Sequence, residues 1–132
     1  MPAEILDSFA LLAWSQDEPG ADFVRERLNA AGRGDLRLIM PVINLGEVLT
    51  IVERGFGLAG AQAILAAVLE MPVEILAATH ERVFAAAHIK ANYPVSYADA
   101  VAIAAAQEFE GVVLTGDPEF GVVKGVVEVA WI

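Results

Sequence analysis

The stretch VVLTGDPEF, residues 112–120, decides the interpretation of the chain because a short apolar strand there ends on an acid. Residues 112–115 have the composition of a buried β-strand, and Gly116, Asp117 and Pro118 follow without a polar linker. Gly-Asp and Asp-Pro are common turn dipeptides, so a turn alone would explain Asp117. Any chemical role for Asp117 depends on the other acids of the chain.

Composition limits the classes of protein to which the chain can belong. Its 132 residues, 57% of them hydrophobic, predict a single domain over residues 1–132. There is no cysteine, which excludes disulfides, thiolate metal sites and cysteine nucleophiles. The N-terminus lacks a signal-peptide pattern, and the longest uncharged run, residues 55–69, is too short to span a bilayer. We therefore expect a soluble cytoplasmic protein with no membrane association.

The chain is strongly acidic, with 18 acids, 8 bases and a net charge of −10. This charge argues against a sequence-independent nucleic-acid binder that relies on a basic face. It does not exclude a nuclease, because acids that converge on divalent cations invert the local charge once the cations are bound.

Strand and helix patterns alternate along the chain, an order typical of a parallel sheet covered by helices. Strands are predicted at 3–6, 36–40, 73–77, 112–115 and 126–132. Helices are predicted at about 8–16, 19–31, 41–54, 58–70, 79–92 and 96–109. Pro19 and Pro41 are expected in the first turns of their helices, and Gly55 and Gly57 are expected to separate the third helix from the fourth.

Four acids are predicted at one edge of this sheet. Asp7 ends the first strand, Asp117 follows the fourth, and Asp99 lies in the first turn of the helix that leads into the fourth strand. Glu47 lies early in the helix after the second strand, with isoleucines at i−4 and i+4, so we expect it to face a partly buried cleft. Carboxyl ends of parallel strands share one edge, where ligands usually bind.

Each acid also has a structural explanation, because Asp7 and Asp99 can cap helices, Asp117 can form a turn and Glu47 can be solvated. Together they are harder to explain in this way, since they come from four separate segments that no local rule links. Carboxylates packed together repel and resist ionisation, so the cluster calls for a cation. Ligands that are all oxygen favour Mg²⁺ or Mn²⁺.

The four acidic motifs, taken together, resemble those of PIN-domain ribonucleases of the VapC type, the toxins of toxin–antitoxin pairs. The motifs are ILDSFALL with Asp7, NLGEV with Glu47, SYADAVAIAAA with Asp99 and VVLTGDPEF with Asp117. No single motif is specific. The set of four is specific, because the motifs occur in this order over nearly the whole chain.

The resemblance implies a three-layer α/β/α sandwich with a mostly parallel sheet of about five strands. It implies that Asp7, Glu47, Asp99 and Asp117 bind Mg²⁺ or Mn²⁺ and carry out endonucleolytic cleavage of RNA. It also implies a small cognate antitoxin as partner, and a homodimer.

Further residues are weaker candidates around this site. Ser8 and Thr115 stand where the family often has a hydroxyl beside the acids, and Asn44 lies on the same helical stripe as Glu47. Among the sparse bases, Arg54 and Lys90 are the candidates for contact with phosphate.

Two positions depart from the family pattern. Phe9 stands where many members have a small polar residue, and Gly116 stands where a polar or basic residue often precedes the last acid. These departures bear on substrate contacts rather than on the metal site.

Three other classes compete with this interpretation. A phospho-receiver domain needs an acidic pair after the first strand and an aspartate ending the third, and the chain has neither. A haloacid-dehalogenase-like phosphatase needs a second aspartate where Phe9 stands. The remaining alternative is a non-catalytic PIN-like binding or scaffold module with a degenerate acidic site.

Overall fold

A five-stranded sheet, parallel throughout, forms the centre of the computed structural model, which describes residues 1–132. The strands are β1 (Ala3–Leu6), β2 (Arg37–Pro41), β3 (Val73–Leu76), β4 (Val112–Thr115) and β5 (Glu128–Trp131). Their order in the sheet is β3-β2-β1-β4-β5. The prediction of five strands in a parallel sheet is therefore confirmed, with β5 shorter than the expected 126–132.

Five helices and one short 3₁₀ helix connect the strands. They are α1 (Ser8–Ser15), α2 (Ala21–Gly32), α3 (Val42–Leu69), α4 (His80–Asn92), α5 (Tyr97–Glu108) and the 3₁₀ helix (Pro118–Val123). The sequence analysis missed the 3₁₀ helix, because its Asp-Pro start has the signature of a simple turn.

Two hydrophobic cores, each of 15 buried residues, lie on opposite faces of the sheet. Side chains alternate along each strand, so Ile5 joins one core and Leu6 the other, as do Val113 and Leu114. One core is closed by α4 and α5 and the other by α1, α2 and α3. This arrangement confirms the three-layer α/β/α sandwich.

Two predicted helix starts were wrong by one to two residues, both at prolines. Pro19 precedes α2, which begins at Ala21 after Gly20 turns the chain with φ 98°. Pro41 is the last residue of β2 and the N-cap of α3, with extended φ and ψ of −61° and 139°. Proline fixes φ near −65°, a value that also suits extended backbone, so its presence does not decide between the two structures.

The predicted break between two helices occurs at Gly57 alone, within α3. Gly57 has φ 77° and ψ 175°, a conformation that only glycine adopts readily, whereas Gly55 is helical. By length and composition α3 could cross a membrane, and 17% of the apolar window that qualifies it is buried. Its first half packs Asn44, Leu45 and Val48 into the sandwich.

The order of the strands places a switch in direction between β1 and β4. From β1 the chain adds β2 and β3 on one side and then crosses over to add β4 and β5 on the other. The helices that follow β1 and β4 therefore diverge and leave a crevice at the carboxyl ends of these strands, the usual ligand site of such sheets. Asp7 follows β1 directly, and Asp117 follows β4 by two residues.

Candidate metal centre

Asp7 lies at the end of β1, where its side chain caps α1. One carboxylate oxygen, Oδ1, accepts a hydrogen bond from the backbone N–H of Ala10 at 2.8 Å. Asp7 is only 1% exposed, which is unusual for a capping residue. The side chain is therefore a helix cap and also a buried charge that needs further compensation.

Thr115, the last residue of β4, connects Asp7 to Asp117. Its hydroxyl oxygen accepts a hydrogen bond from the backbone N–H of Asp117 at 3.0 Å. The hydroxyl also forms a side-chain hydrogen bond with Asp7. Because the oxygen already accepts from Asp117, its proton is free to be donated to the Asp7 carboxylate. Thr115 is fully buried, so this bridge between the two acids is fixed.

Asp99 lies in the first turn of α5, whose N-cap is Ser96. The Ser96 Oγ accepts the Asp99 backbone N–H at 3.1 Å, as the capping pattern in the sequence indicated. The Asp99 carboxylate oxygen Oδ2 is buried and has no hydrogen-bond partner. A buried carboxylate oxygen without a protein partner is rare and calls for a cation, a proton or a water to satisfy it.

A third acid, Glu119, completes a cluster with Asp99 and Asp117. One carboxylate oxygen from each of the three can be chosen so that all lie within 4.8 Å of one another. The 3₁₀ helix is responsible, because Asp117 caps it by accepting the Glu119 backbone N–H at 3.0 Å. An all-oxygen set at this spacing fits a hard divalent cation.

Two of the acids have strongly raised pKa values. Burial raises the pKa of Asp7 to about 7, the charges of Asp117 and Glu47 act in the same direction, and the hydrogen bonds from Thr115 and Ala10 oppose them. Burial likewise raises the pKa of Asp99 to about 8, assisted by its hydrogen bond with Glu119 and the charge of Asp117. Near neutral pH both carboxyls hold protons for much of the time, and a bound cation would displace them.

Glu47 is close enough for its charge to raise the pKa of Asp7, but it is not one of the three clustered acids. It is exposed, and its neighbours Ile43 and Ile51 are 39% and 41% exposed. The expectation that Glu47 faces a partly buried cleft was therefore wrong, because this face of α3 is open to solvent.

Two further candidates, Ser8 and Asn44, hold the acid-bearing elements together. Asn44 is fully buried, and its side-chain amide donates to the Ser8 hydroxyl at 3.3 Å and to the Ala98 carbonyl at 3.2 Å. The Ser8 hydroxyl donates a hydrogen bond to the backbone carbonyl of Asn44 at 3.2 Å. Ser8 follows Asp7 and Ala98 precedes Asp99, so these bonds fix the relative positions of α1, α3 and α5 beside the acids.

The candidate phosphate contacts differ in their surroundings. Arg54 is exposed, lies two turns after Glu47 in α3 and forms no ion pair. The Lys90 ammonium donates to the Val95 carbonyl at 3.0 Å, next to the Ser96 cap of the Asp99 helix.

Nearly all arginines are neutralised by carboxylates. Five of the six form ion pairs: Arg25 with Asp17 and Asp22, Arg27 with Glu4, Arg33 with Asp35, Arg37 with Glu74, and Arg82 with Glu108. The charge that remains for a polyanionic ligand is therefore even smaller than the count of bases indicates.

Sequence analysis missed Glu119 as a member of the cluster. The signal was present in Asp-Pro-Glu, since proline after a capping aspartate starts a short helical turn that brings the residue two positions later back toward the aspartate.

The geometry of this crevice agrees with the family resemblance of its motifs. Residues 5–126 match the family described as PIN domain. The chain belongs to the PIN-domain family. The match covers all four motifs, from ILDSFALL to VVLTGDPEF, and thus assigns the chain to a family of nucleases. No curated protein matches the sequence.

Several solved structures with the fold of this PIN domain are VapBC complexes or VapC toxins. DNA-bound VapBC of Salmonella typhimurium is 20% identical over 98% of each chain, with a TM-score of 0.78. VapC20 of Mycobacterium tuberculosis, described as a sarcin-ricin loop cleaving toxin, is 21% identical over 96% of this chain and 98% of that chain, with a TM-score of 0.75. VapBC2 of Rickettsia felis, bound to a promoter DNA fragment, is 14% identical over 97% of each chain, with a TM-score of 0.77.

Proposed function

We propose that this PIN domain is an endoribonuclease that uses Mg²⁺ or Mn²⁺. The observation that carries the proposal is the unpartnered, buried Oδ2 of Asp99 beside the carboxylates of Asp117 and Glu119. Burying a carboxylate oxygen without a partner is costly, and a divalent cation offsets that cost. Without a cation, the carboxylates packed together at this crevice repel one another and resist ionisation.

The residues divide into ligands and supports. Asp99, Asp117 and Glu119 would hold the cation, because their oxygens are already clustered. Asp7 would add a further carboxylate oxygen from the β1 side, oriented by its hydrogen bond with Thr115. Ser8 and Asn44 would keep the helices that carry these ligands in register, as supporting residues do at metal sites.

The proposed reaction is hydrolysis of an RNA phosphodiester. A divalent cation bound there would supply hydroxide near neutral pH and shield the negative charge of the phosphate. The water oxygen forms a bond to phosphorus, the bond from phosphorus to the leaving nucleoside oxygen breaks, and that oxygen takes up a proton. Glu47, exposed beside Asp7, would orient the attacking water.

Arg54 and Lys90 would contact the RNA phosphates. Arg54 has no carboxylate partner, and Lys90 contacts only a backbone carbonyl, so both keep their positive charge available. Replacing either by alanine should weaken RNA binding modestly and reduce its dependence on salt.

Cleavage assays with purified protein test the nuclease activity. Single-stranded and structured RNAs are incubated with Mg²⁺ or Mn²⁺, with a chelator, and with the variant Asp117→Asn. We expect cleavage that both the chelator and the substitution abolish. Intact RNA in all reactions, together with no metal binding by calorimetry, would rule out the proposal.

We further propose that the protein acts in the cytoplasm as the toxin of a toxin–antitoxin pair. Apolar side chains along α3, including Ile51, Phe56, Leu58 and Leu69, are 41–69% exposed and could accept an antitoxin helix or a second copy of the chain. A basic antitoxin would complement the net charge of −10. Induced expression should stop bacterial growth for the parent and not for Asp117→Asn, and light scattering should give the mass of a dimer.

The alternative is a non-catalytic PIN-like binding or scaffold module. The pairing of five of the six arginines favours it, since little positive charge is left to attract RNA. Such a module would bind its ligand without metal-dependent cleavage, so the assay above distinguishes the two functions.

A further inference from the structure

The ring of Phe9 packs against the backbone of Gly116. Phe9 lies in the first turn of α1, two residues after Asp7, and its Cδ1, Cε1 and Cζ atoms contact the glycine that precedes Asp117. A Cβ at position 116 would lie 2.3 Å from Cε1, far inside contact distance. Gly116 does not have a positive φ, so the ring, and not the backbone conformation, accounts for glycine at this position.

Phe9 remains partly open to solvent. The residue is 42% exposed, whereas its neighbours Asp7 and Ser8 are buried. The ring thus packs against Gly116 and is still accessible, beside the segments that carry Asp7 and Asp117. A packed but accessible aromatic ring at the edge of a nuclease site is suited to stacking with a base.

The charges of the chain favour an uncharged contact with RNA. Five of the six arginines are paired with carboxylates, and the net charge is −10. Attraction to the phosphate backbone, which usually dominates nucleic-acid affinity, is therefore weak here. Stacking depends on the face of the base rather than on its phosphate, so it can supply affinity that the paired cations do not.

We propose that Phe9 stacks on an unpaired base of the RNA next to the scissile phosphate, and that Gly116 is required to seat the ring. The inference rests on the proposed nuclease function and adds to it a residue that positions the substrate. Stacking would position the substrate and leave the chemical step to the acids.

Steady-state cleavage of a single-stranded RNA by Phe9 variants tests this role. We expect Phe9→Leu to raise KM about tenfold with little change in kcat, and Phe9→Tyr, which keeps a ring, to retain the parental KM. Phe84→Leu is the matched control, because Phe84 is 69% exposed and lies in α4, which carries none of the clustered acids. A parental KM for Phe9→Leu would overturn the inference and leave the nuclease function intact.

Gly116→Ala provides a second test that keeps the ring but displaces it. It should raise KM as Phe9→Leu does, and the double variant should show no further increase, because both changes remove one contact. If the increases in KM of the two single variants add up in the double variant, Gly116 does not act through the Phe9 ring. Calorimetric Mg²⁺ affinity should stay parental in Phe9→Leu, whereas a merely structural role would lower it.

Equilibrium binding separates failure of the inference from failure of the function. Fluorescence anisotropy with a labelled single-stranded RNA is measured for the parent and for Phe9→Leu in Mg²⁺. If the parent binds but does not cut, and Phe9→Leu binds about tenfold more weakly, the stacking of Phe9 on RNA stands, whereas cleavage, and with it the position beside a scissile phosphate, fails. If the parent neither binds nor cuts, or if Phe9→Leu loses only its binding to an antitoxin, stacking on RNA is refuted.

Discussion

The side-chain amide of Asn44 donates a hydrogen bond to the backbone carbonyl of Ala98 at 3.2 Å, across 54 residues of sequence. This bond joins α3, which carries Glu47, to the first turn of α5, which carries Asp99. The same amide reaches Ser8, the residue after Asp7. One buried side chain thus holds three acid-bearing segments, although in the sequence only its place on the Glu47 stripe distinguishes it from a solvated asparagine.

Replacing Asn44 by leucine should lower both stability and metal affinity. Leucine has similar volume but cannot donate, so the Ser8 hydroxyl and the Ala98 carbonyl each lose one hydrogen bond and the free energy of unfolding falls by about 2 kcal/mol. Without the hydrogen bonds that Asn44 donates to Ser8 and Ala98, the acid-bearing segments are held less firmly, and Mg²⁺ binding should weaken about tenfold or more. Denaturant unfolding and calorimetry measure the two effects. Asn92→Leu is the control, because Asn92 makes a similar bond to the His88 carbonyl on an exposed helix end. Equal metal affinity in parent and Asn44→Leu would contradict the proposed support.

Glu119→Gln should weaken metal binding, because it removes one of three clustered carboxylate charges. We expect Mg²⁺ affinity to fall about tenfold or more, measured by calorimetry at pH 8. Glu128→Gln, an equivalent change at an exposed position of β5, should have no effect. An unchanged affinity would restore the ligand set that the sequence predicted: Asp7, Glu47, Asp99 and Asp117.

Metal binding should release protons at pH 7. With pKa values of about 7 and 8, Asp7 is about half protonated and Asp99 largely protonated before a cation binds. Binding should therefore release more than one proton at pH 7 and almost none at pH 9. Calorimetry in two buffers of different ionisation enthalpy gives the number directly. Identical apparent enthalpies in both buffers at pH 7 would show that the carboxyls are already ionised.

The stability of the metal-free protein should fall as pH rises toward 8. Folding raises the pKa of Asp7 and Asp99, so the folded state is favoured when they are protonated. The contribution is complete below about pH 4 and is lost as pH rises through about 7 for Asp7 and about 8 for Asp99. Asp7→Asn should thus gain stability relative to the parent between pH 5 and 8, by about 3 kcal/mol, while losing activity.

Thermal unfolding in chelator, over pH 5 to 8, measures that difference. Comparing variant with parent cancels the other titrating groups, which are common to both proteins. A constant difference in stability across this range would mean that Asp7 is ionised in the folded protein throughout.

The fold was predictable because hydrophobic period and turn residues agree along most of the chain. The bounds of β1 and β4 were predicted without error, since each is a short apolar run that an aspartate or a Gly-Asp-Pro turn ends abruptly. Helix boundaries were predicted wrongly where the residue at the boundary is compatible with two kinds of secondary structure. Pro41 fits the end of a strand as well as the start of a helix, and two nearby glycines leave open which of them breaks α3.

The site was predictable only in part. Asp7, Asp99 and Asp117 follow from strand order, because adjacency at the edge of a sheet is a property of topology. The solvent exposure of Glu47 depends on how α3 rotates against the sheet, and apolar neighbours at helical spacing did not reveal it, because those isoleucines are themselves exposed. The contact of Phe9 with Gly116 joins residues 107 positions apart and has no local signature.

The pairing of nearly every arginine with a carboxylate also determines how the protein responds to salt. A nuclease that attracts RNA with a basic surface associates more slowly as ions screen that attraction. Here the long-range field of a chain with a net charge of −10 repels the polyanion, and screening removes the repulsion. Moderate ionic strength should therefore accelerate the encounter with RNA, the reverse of the usual kinetic salt effect.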